Sequence, residues 1–320
     1  MGSFRFGIMG AADIANKFCN AVTYIEDCEI VAVASKSMER AKKFAENNGL
    51  PAAYDSYEKM LQTERPDAVY IAVTTNAHFE LCMLCLKYDT PFLCEKTMCI
   101  GGNETEQVLK LAEEKNIFCM EAMWSRFLPA INQVREWCNK KRIGTISLGD
   151  INVGFQAPVD FQNRFYNKEL GGGAALDLTV YCYEIMTYLI EEPILEMHAA
   201  SNFSESGVDV SNVVSLRFQN ALACLKGSIA AHYEEKMILY GTEGNICVPS
   251  PHFASEAYLY DSWGNLIEHF VDTKTPNGFI YEIQETIRCI QEGKTESDVV
   301  PHSLTLAYAR VCDELFKVRG

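Results

Sequence analysis

The stretch GIMGAADIA, residues 7–15, follows the strand-like run FRFGIM and leads into a helix-like run. A glycine-bearing turn in that position offers an anion its backbone amides and the positive end of the helix dipole. In a GxGxxG/A loop the first glycine makes the turn, the second admits a pyrophosphate and the third position packs helix on strand. Gly10, Ala12 and Ala15 occupy those places, with Asp13 and Ile14 at the helix start. The Ala12 methyl displaces a phosphate slightly and leaves the helix amides aimed at it. Taken alone, a plain strand-to-helix turn explains the loop about as well; its place at the first strand of a βαβ unit favours a dinucleotide. The end of the second strand then selects among dinucleotides. An Asp or Glu there would accept the ribose hydroxyls of NAD, whereas this chain has Ser35, Lys36, Ser37 and then Arg40. Hydroxyls and cations hold a 2′-phosphate that a carboxylate would repel. NADP(H) is therefore the expected cofactor, with NAD(H) the lesser alternative; a solvated basic turn opening a helix is the competing reading of the same residues.

These residues need a parallel sheet to position them, and the first third of the chain supplies the pattern. FRFGIM, EIVAVAS, DAVYIAV and PFLCE are apolar runs of strand length with helical periodicity between them, such as Ile14, Phe18, Ala21 and Val22. A helix over 103–115 and the strand IFCME bring the count to about six strands by residue 121, a doubly wound α/β domain of the Rossmann kind. After residue 124 comes a helix rich in Trp and charge, the run ISLGDINVGF, a polar loop ending at Gly171, Gly172 and Gly173, and an apolar helix over 176–190. The segments ILEMHAA, VSNVVSLRF, ACLKGSIAA, KMILYG, GNICV, EAYLYD and LIEHFV follow in succession. Consecutive strands with short turns predict an α+β domain built on a large, open, mainly antiparallel sheet. Two helices, 278–291 and 302–317, close the chain. The expected domains are 1–123, which binds NADP, and 124–320, which binds substrate and dimerises, with room for the C-terminal helix to pack back on the first. Their junction is the expected ligand cleft.

Composition limits what such a molecule can do. At 320 residues the chain is about twice a typical domain. Its formal charge of -15 leaves no basic face for a nucleic-acid backbone or an anionic membrane. No apolar run reaches the ~18 residues of a spanning helix and no signal peptide is legible, so a cytoplasmic protein is expected. The 13 cysteines are scattered and odd in number, which predicts reduced, mostly buried thiols. Cys82 and Cys85 form a CxxC, but they fall among Leu81, Leu84 and Tyr88 on a helical stripe and no second pair completes a metal site. No metal is expected.

Three further stretches matter together: DAVYIAVTTNAHFE at 67–80, CEKTM at 94–98 and GGGAALDLTVYCYE at 171–184. With GIMGAADIA, EAMWSRFLP at 121–129, the GTEGNI turn at 241–246 and the segment 281–302, they resemble the Gfo/Idh/MocA family of oxidoreductases, most closely its branch of dihydrodiol and NADP-dependent sugar dehydrogenases. The resemblance spans nearly the whole chain. It places the family's Glu-Lys-Pro signature on Glu95, Lys96 and Thr97. The family often has a cis peptide before the proline, and a non-proline cis bond costs ~2.5 to 4 kcal/mol, so the threonine predicts a trans turn here. The resemblance also implies that Thr74, Thr75, Asn76, His78, Glu95 and Lys96 line the cofactor, His78 on the nicotinamide side, with a role at the helix start as its competing reading. Trp124, Arg126 and Phe127 match residues at the cleft floor, and Arg164 lies in a loop where substrate contacts are common. Asp177 and Tyr181, four apart on a predicted helix, share a face.

The expected reaction is hydride transfer between a nicotinamide and a secondary hydroxyl or carbonyl carbon of a sugar, polyol or trans-dihydrodiol. Tyr181 is expected to move the hydroxyl proton, Lys96 to favour its phenolate, and Asp177 to anchor neighbouring hydroxyls. Two rival readings are a non-catalytic sensor of NADP and sugar, and a hydrolase that uses the nicotinamide transiently to cleave a glycoside. The apolar succession at Val213, Val214 and Leu216 predicts a sheet covered on both faces, by a homodimer partner or by a helix of the same chain.

Overall fold

The computed structural model describes residues 2–317. Its chain divides into two compact units, 1–124 with 276–309, and 125–275 with 310–320. The first unit is built on β1 (Phe4–Met9), α1 (Asp13–Val22), β2 (Cys28–Ala34), α2 (Met38–Asn48), β3 (Ala53–Tyr54), α3 (Tyr57–Glu64), β4 (Ala68–Ile71), α4 (His78–Lys87), β5 (Phe92–Glu95), α5 (Gly102–Lys115) and β6 (Cys119–Ala122). The strands stand in the order β3-β2-β1-β4-β5-β6 and every pairing is parallel. Helices cover both faces of such a sheet, so the strands read as unbroken apolar runs rather than alternating ones: all four residues of β4 and all but one of β1 are buried. The strand order reverses between β1 and β4, and the carboxyl ends of strands at such a switch point are where open α/β sheets hold ligands. Cys82 and Cys85 lie in this core, and burial pushes both thiols well above their ordinary range. They are packing residues, as their helical spacing implied.

The second unit carries α6 (Pro129–Asn139), β7 (Ile146–Gly154), α7 (Val180–Leu189), β8 (Glu196–Phe203), β9 (Asp209–Arg217), β10 (Leu222–Ser228), β11 (Lys236–Gly241), β12 (Gly244–Pro249), β13 (Glu256–Asp261) and β14 (Leu266–Val271). Its eight strands run β14-β13-β12-β11-β7-β10-β9-β8, antiparallel throughout except where β10 lies parallel to β7. The parallel pair arises because the β8-β9-β10 meander returns its last strand beside β7. One face of the sheet is covered within the unit: Val214 and Leu216 are buried. Their neighbour Val213 is not, and with Leu148, Leu222 and Tyr240 it lies on an exposed opposite face.

After β14 the chain returns to the first unit through α8 (Phe279–Gln291) and the first part of α9 (His302–Lys317). The return is fixed by polar contacts. Asn277 donates to the Lys17 carbonyl at 2.8 Å and to Asn20 Oδ1 at 2.9 Å, the Cys119 amide donates to the Thr295 carbonyl at 3.1 Å, and the His302 imidazole meets the Cys119 carbonyl at 2.9 Å. Residues 276–309 therefore extend the parallel-sheet unit, a pairing that no local periodicity signals.

Candidate active site

In the first unit, Gly10 caps β1 between its two neighbours: its amide donates to the Ala34 carbonyl at 2.8 Å, and the Ala72 amide donates to the Met9 carbonyl at 2.8 Å. Its φ of +113° suits glycine, and a Cβ there would stand 2.0 Å from the Ala72 carbonyl oxygen. The turn can therefore pass only as glycine. Ala12 caps α1 with no side-chain hydrogen bond to the first helical turn, so no side chain competes with an anion at that helix start. The fit to a dinucleotide pyrophosphate thus rests on a turn no other residue could make and a helix start no side chain closes.

At the end of β2, Ser35 is buried and its hydroxyl accepts from the Ser37 amide at 3.5 Å; the Ser37 hydroxyl accepts from the Arg40 amide at 3.3 Å and caps α2. Each hydroxyl keeps its hydrogen for a ligand. The exposed Arg40 guanidinium reaches back over the phosphate loop to the Ala11 carbonyl at 3.4 Å, and Lys36 beside it is exposed. Two cations and two hydroxyls therefore stand where a carboxylate would serve NAD.

The turn after β5 is held from behind. The Tyr70 hydroxyl donates to Glu95 Oε1, the Lys96 amide to Glu95 Oε2 at 3.3 Å, and the Met98 amide to Glu121 Oε1 at 2.8 Å. Burial pushes the Glu95 carboxyl up, against the lowering pull of Tyr70 and Lys96. The Lys96–Thr97 peptide is cis, which corrects the trans turn expected from the threonine. His78, the first residue of α4, is turned inward: it is 1% exposed, with Nδ1 2.8 Å from the Thr97 carbonyl and Nε2 3.1 Å from the Val73 carbonyl. It is a strut between the end of β4 and the Lys96 turn. Burial pushes its pKa down, while the two carbonyls and the Glu95 and Glu121 carboxylates pull it up. Thr74, Thr75 and Asn76 sit on the short helical turn after β4, where the Thr74 hydroxyl donates to Asn76 Oδ1 at 2.7 Å. Trp124 is half-buried against Phe279, ring centroids 5.4 Å apart.

In the second unit, the glycine run positions the helix that carries Asp177 and Tyr181. Gly173 has φ +130° and approaches Asp209 so closely that a Cβ would lie 2.1 Å from its Oδ1. Asp209, 1% exposed, accepts from the Ala175 amide at 2.6 Å and from Asn212 Nδ2 at 2.8 Å, so a carboxylate 34 residues away in sequence caps the helix. Nothing in the local sequence could have identified that cap. The first turn, Ala175–Thr179, is π-helical and α7 continues it. Such wide turns are rare and favour functional sites. Asp177 accepts from Arg164 at 3.1 Å, joining two of the expected substrate residues, and Arg164 lies over the Phe165 ring. Tyr181 is 9% exposed, and its ring lies 5.1 Å from that of His252. Phe127 is half-buried in the turn before α6.

Arg126 is turned inward. It is 3% exposed, 3.0 Å from Glu184 Oε2, and donates to the Glu184 carbonyl at 2.7 Å and the Thr187 hydroxyl at 3.1 Å. A buried guanidinium is tolerable only when so paired. Burial pushes Glu184 up and Arg126 pulls it down.

A glycine-turned phosphate loop on a six-stranded parallel sheet, joined in one chain to an open eight-stranded sheet, defines a class: the chain belongs to the Gfo/Idh/MocA oxidoreductases. Residues 4–123 match the family's NAD-binding Rossmann domain and residues 131–247 its C-terminal domain. The chain is thus an enzyme, a nicotinamide-dependent dehydrogenase. It is 30% identical to trans-1,2-dihydrobenzene-1,2-diol dehydrogenase of Danio rerio, over 98% of this chain and 96% of that one. It is 28% identical to the NADP(+)-dependent scyllo-inositol 2-dehydrogenase of Bacillus subtilis, over 99% and 97%. The crystal structure of aldose-aldose oxidoreductase from Caulobacter crescentus shares the fold, with a TM-score of 0.89 at 18% identity over 99% of this chain and 97% of that one. Among the described residues no helix is long and apolar enough to cross a membrane.

Proposed function

We propose that this enzyme is an NADP(H)-dependent dehydrogenase of sugars, polyols or trans-dihydrodiols, acting at a secondary hydroxyl. The observation that carries the cofactor preference is the guanidinium of Arg40, which reaches over the phosphate loop beside the Ser35 and Ser37 hydroxyls. The substrate class rests on the full-length relatives named above and on the Arg164–Asp177 pair, whose guanidinium and carboxylate are of the donor and acceptor types that suit a polyhydroxylated ligand. The bound nicotinamide supplies or accepts hydride at C4. Tyr181 takes the proton from the reacting hydroxyl in oxidation and returns it in reduction, because hydride leaves a carbinol carbon most easily as the oxygen becomes alkoxide. Asp177 orients neighbouring hydroxyls. The exposed sheet face of Leu148, Val213, Leu222 and Tyr240 is proposed to be covered by a second copy of the chain.

The deciding experiment is nicotinamide absorbance with purified enzyme, NADP or NAD supplied against a panel of aldoses, inositols and trans-diols. Turnover favouring NADP with a pyranose, cyclitol or diol is expected; tight NADPH binding with silence across the panel would overturn it. Within an active enzyme, Tyr181→Phe should lower kcat by ~10² or more and leave NADPH affinity unchanged. Near-normal turnover of that variant would remove Tyr181 from the role.

A further inference from the structure

The π-helical turn and α7 present Tyr181, but a phenol on a helix surface still needs a support that fixes its ring. The second unit places one behind it. His252 sits in a single helical turn, Pro251–Phe253, directly after β12, and is 5% exposed. Its ring packs against that of Tyr181, centroids 5.1 Å apart and planes inclined at 37°. Phe253 also lies against the imidazole, with centroids 4.0 Å apart. The His252 Nδ1 is 3.7 Å from Glu235 Oε2, and Glu235 is itself fixed through Oε1, which accepts from the Gly154 amide at 3.0 Å. Backbone contacts lock the same assembly: the Ser250 amide donates to the Glu235 carbonyl at 3.0 Å, and the Phe253 amide to the Ser250 carbonyl at 2.8 Å.

A buried imidazole is a poor filler for an apolar pocket. It carries two nitrogens that an aromatic hydrocarbon lacks, and their desolvation must be offset by polar partners. Here the Glu235 carboxylate lies within ion-pair but not hydrogen-bond distance of one nitrogen, while the ring packs against the tyrosine. We propose that His252 is a positioning residue for Tyr181, its imidazole, with Glu235 beside it, fixing the phenol ring for proton transfer. This rests on the reading of Tyr181 as the proton-transfer group.

The test compares steady-state kinetics of His252→Ala, His252→Gln and Tyr181→Phe, and of the double variant His252→Ala with Tyr181→Phe, alongside NADPH binding by fluorescence and melting temperature. Because misplacement of a reacting group by about 1 Å can cost up to ~10²-fold, His252→Ala should lower kcat by about 10-fold with substrate KM and NADPH affinity within about 2-fold of wild type. His252→Gln, which keeps a planar polar group against the phenol ring, should stay within about 3-fold of wild type. In the Tyr181→Phe background the His252→Ala change should cost less than about 2-fold, because its effect passes through the phenol. An equal loss in both backgrounds, a loss in KM or NADPH affinity instead of kcat, or an unchanged kcat would each overturn the inference while an inactive Tyr181→Phe left the proposed function standing. A Tyr181→Phe enzyme with wild-type turnover would overturn both.

Discussion

Glu282 offers a sharp thermodynamic test of how the first unit holds the turn that bears Lys96. It lies on α8, fully buried, and neither of its carboxyl oxygens has a hydrogen-bond partner among the described residues. Burial, and then the nearby Glu95 charge, push its pKa well above the ordinary 4.5. The folded protein therefore holds a proton there that the unfolded chain releases above about pH 4.5. Stability from this group is complete below that pH and is lost as pH rises toward the folded-state pKa. While the group stays protonated in the fold, each pH unit above about 4.5 costs about 1.4 kcal/mol, so a two-unit rise within that range costs about 2.7 kcal/mol. Glu282→Gln keeps the shape and cannot ionise, so the variant should gain that amount on the wild type across the interval. The thermal midpoint difference should widen by roughly 5–11 °C at about 2–4 °C per kcal/mol. The assay is a melting curve of both proteins at several pH values, with the other titrating groups common to both. Parallel curves would refute the reasoning, because they would mean that Glu282 binds no more protons folded than unfolded. Were the wild type the more stable at the higher pH, the carboxylate would be stabilised in the fold, opposite to what its burial implies.

Two further outcomes follow from exposed features. Replacing Arg40 by alanine should weaken NADPH binding by about 10- to 100-fold, the worth of one charge-assisted contact to a phosphate, and change NADH binding by less than about 2-fold; fluorescence titration with both cofactors checks it, and equal losses would remove Arg40 from 2′-phosphate recognition. On the open sheet face, Leu222 pairs with Leu148 and both are about half exposed. Leu222→Lys with Leu148→Lys would bury two charges at the proposed contact between copies, so sedimentation should shift to monomer with the melting curve of the monomer otherwise intact. A wild type that sediments only as monomer would refute that contact.

What the amino-acid pattern disclosed, and what it hid, divides by distance along the chain. β1, β11, β13 and β14 fall on the expected segments because a strand's signal is its own apolar run and the turn residues beside it. The phosphate loop was legible for the same reason: Gly10 needs only β1, β2 and β4 around it, and their order follows from the βαβ rule. β3, two residues long, carries too little pattern to register. The π-helical turn before α7 escaped as well, since its Asp177 and Tyr181 keep nearly the same face whether the turn holds 3.6 or slightly more residues. Least legible are side chains whose partners are remote. Arg126 reads as a ligand residue until Glu184 is set against it, and His78 until the carbonyls of Val73 and Thr97 close on its two nitrogens. In both cases the residue type was a sound guide to polarity and a poor one to direction, because a buried polar side chain must be satisfied and the sequence does not say by whom. Asp209 is the converse. Its spacing from Gly173 has no periodic meaning, yet its carboxylate meets both that glycine's open side and the helix amide beyond it. The glycine run was visible as a site marker because such a close approach can be made only by residues without a Cβ; what approached it became visible only with the fold.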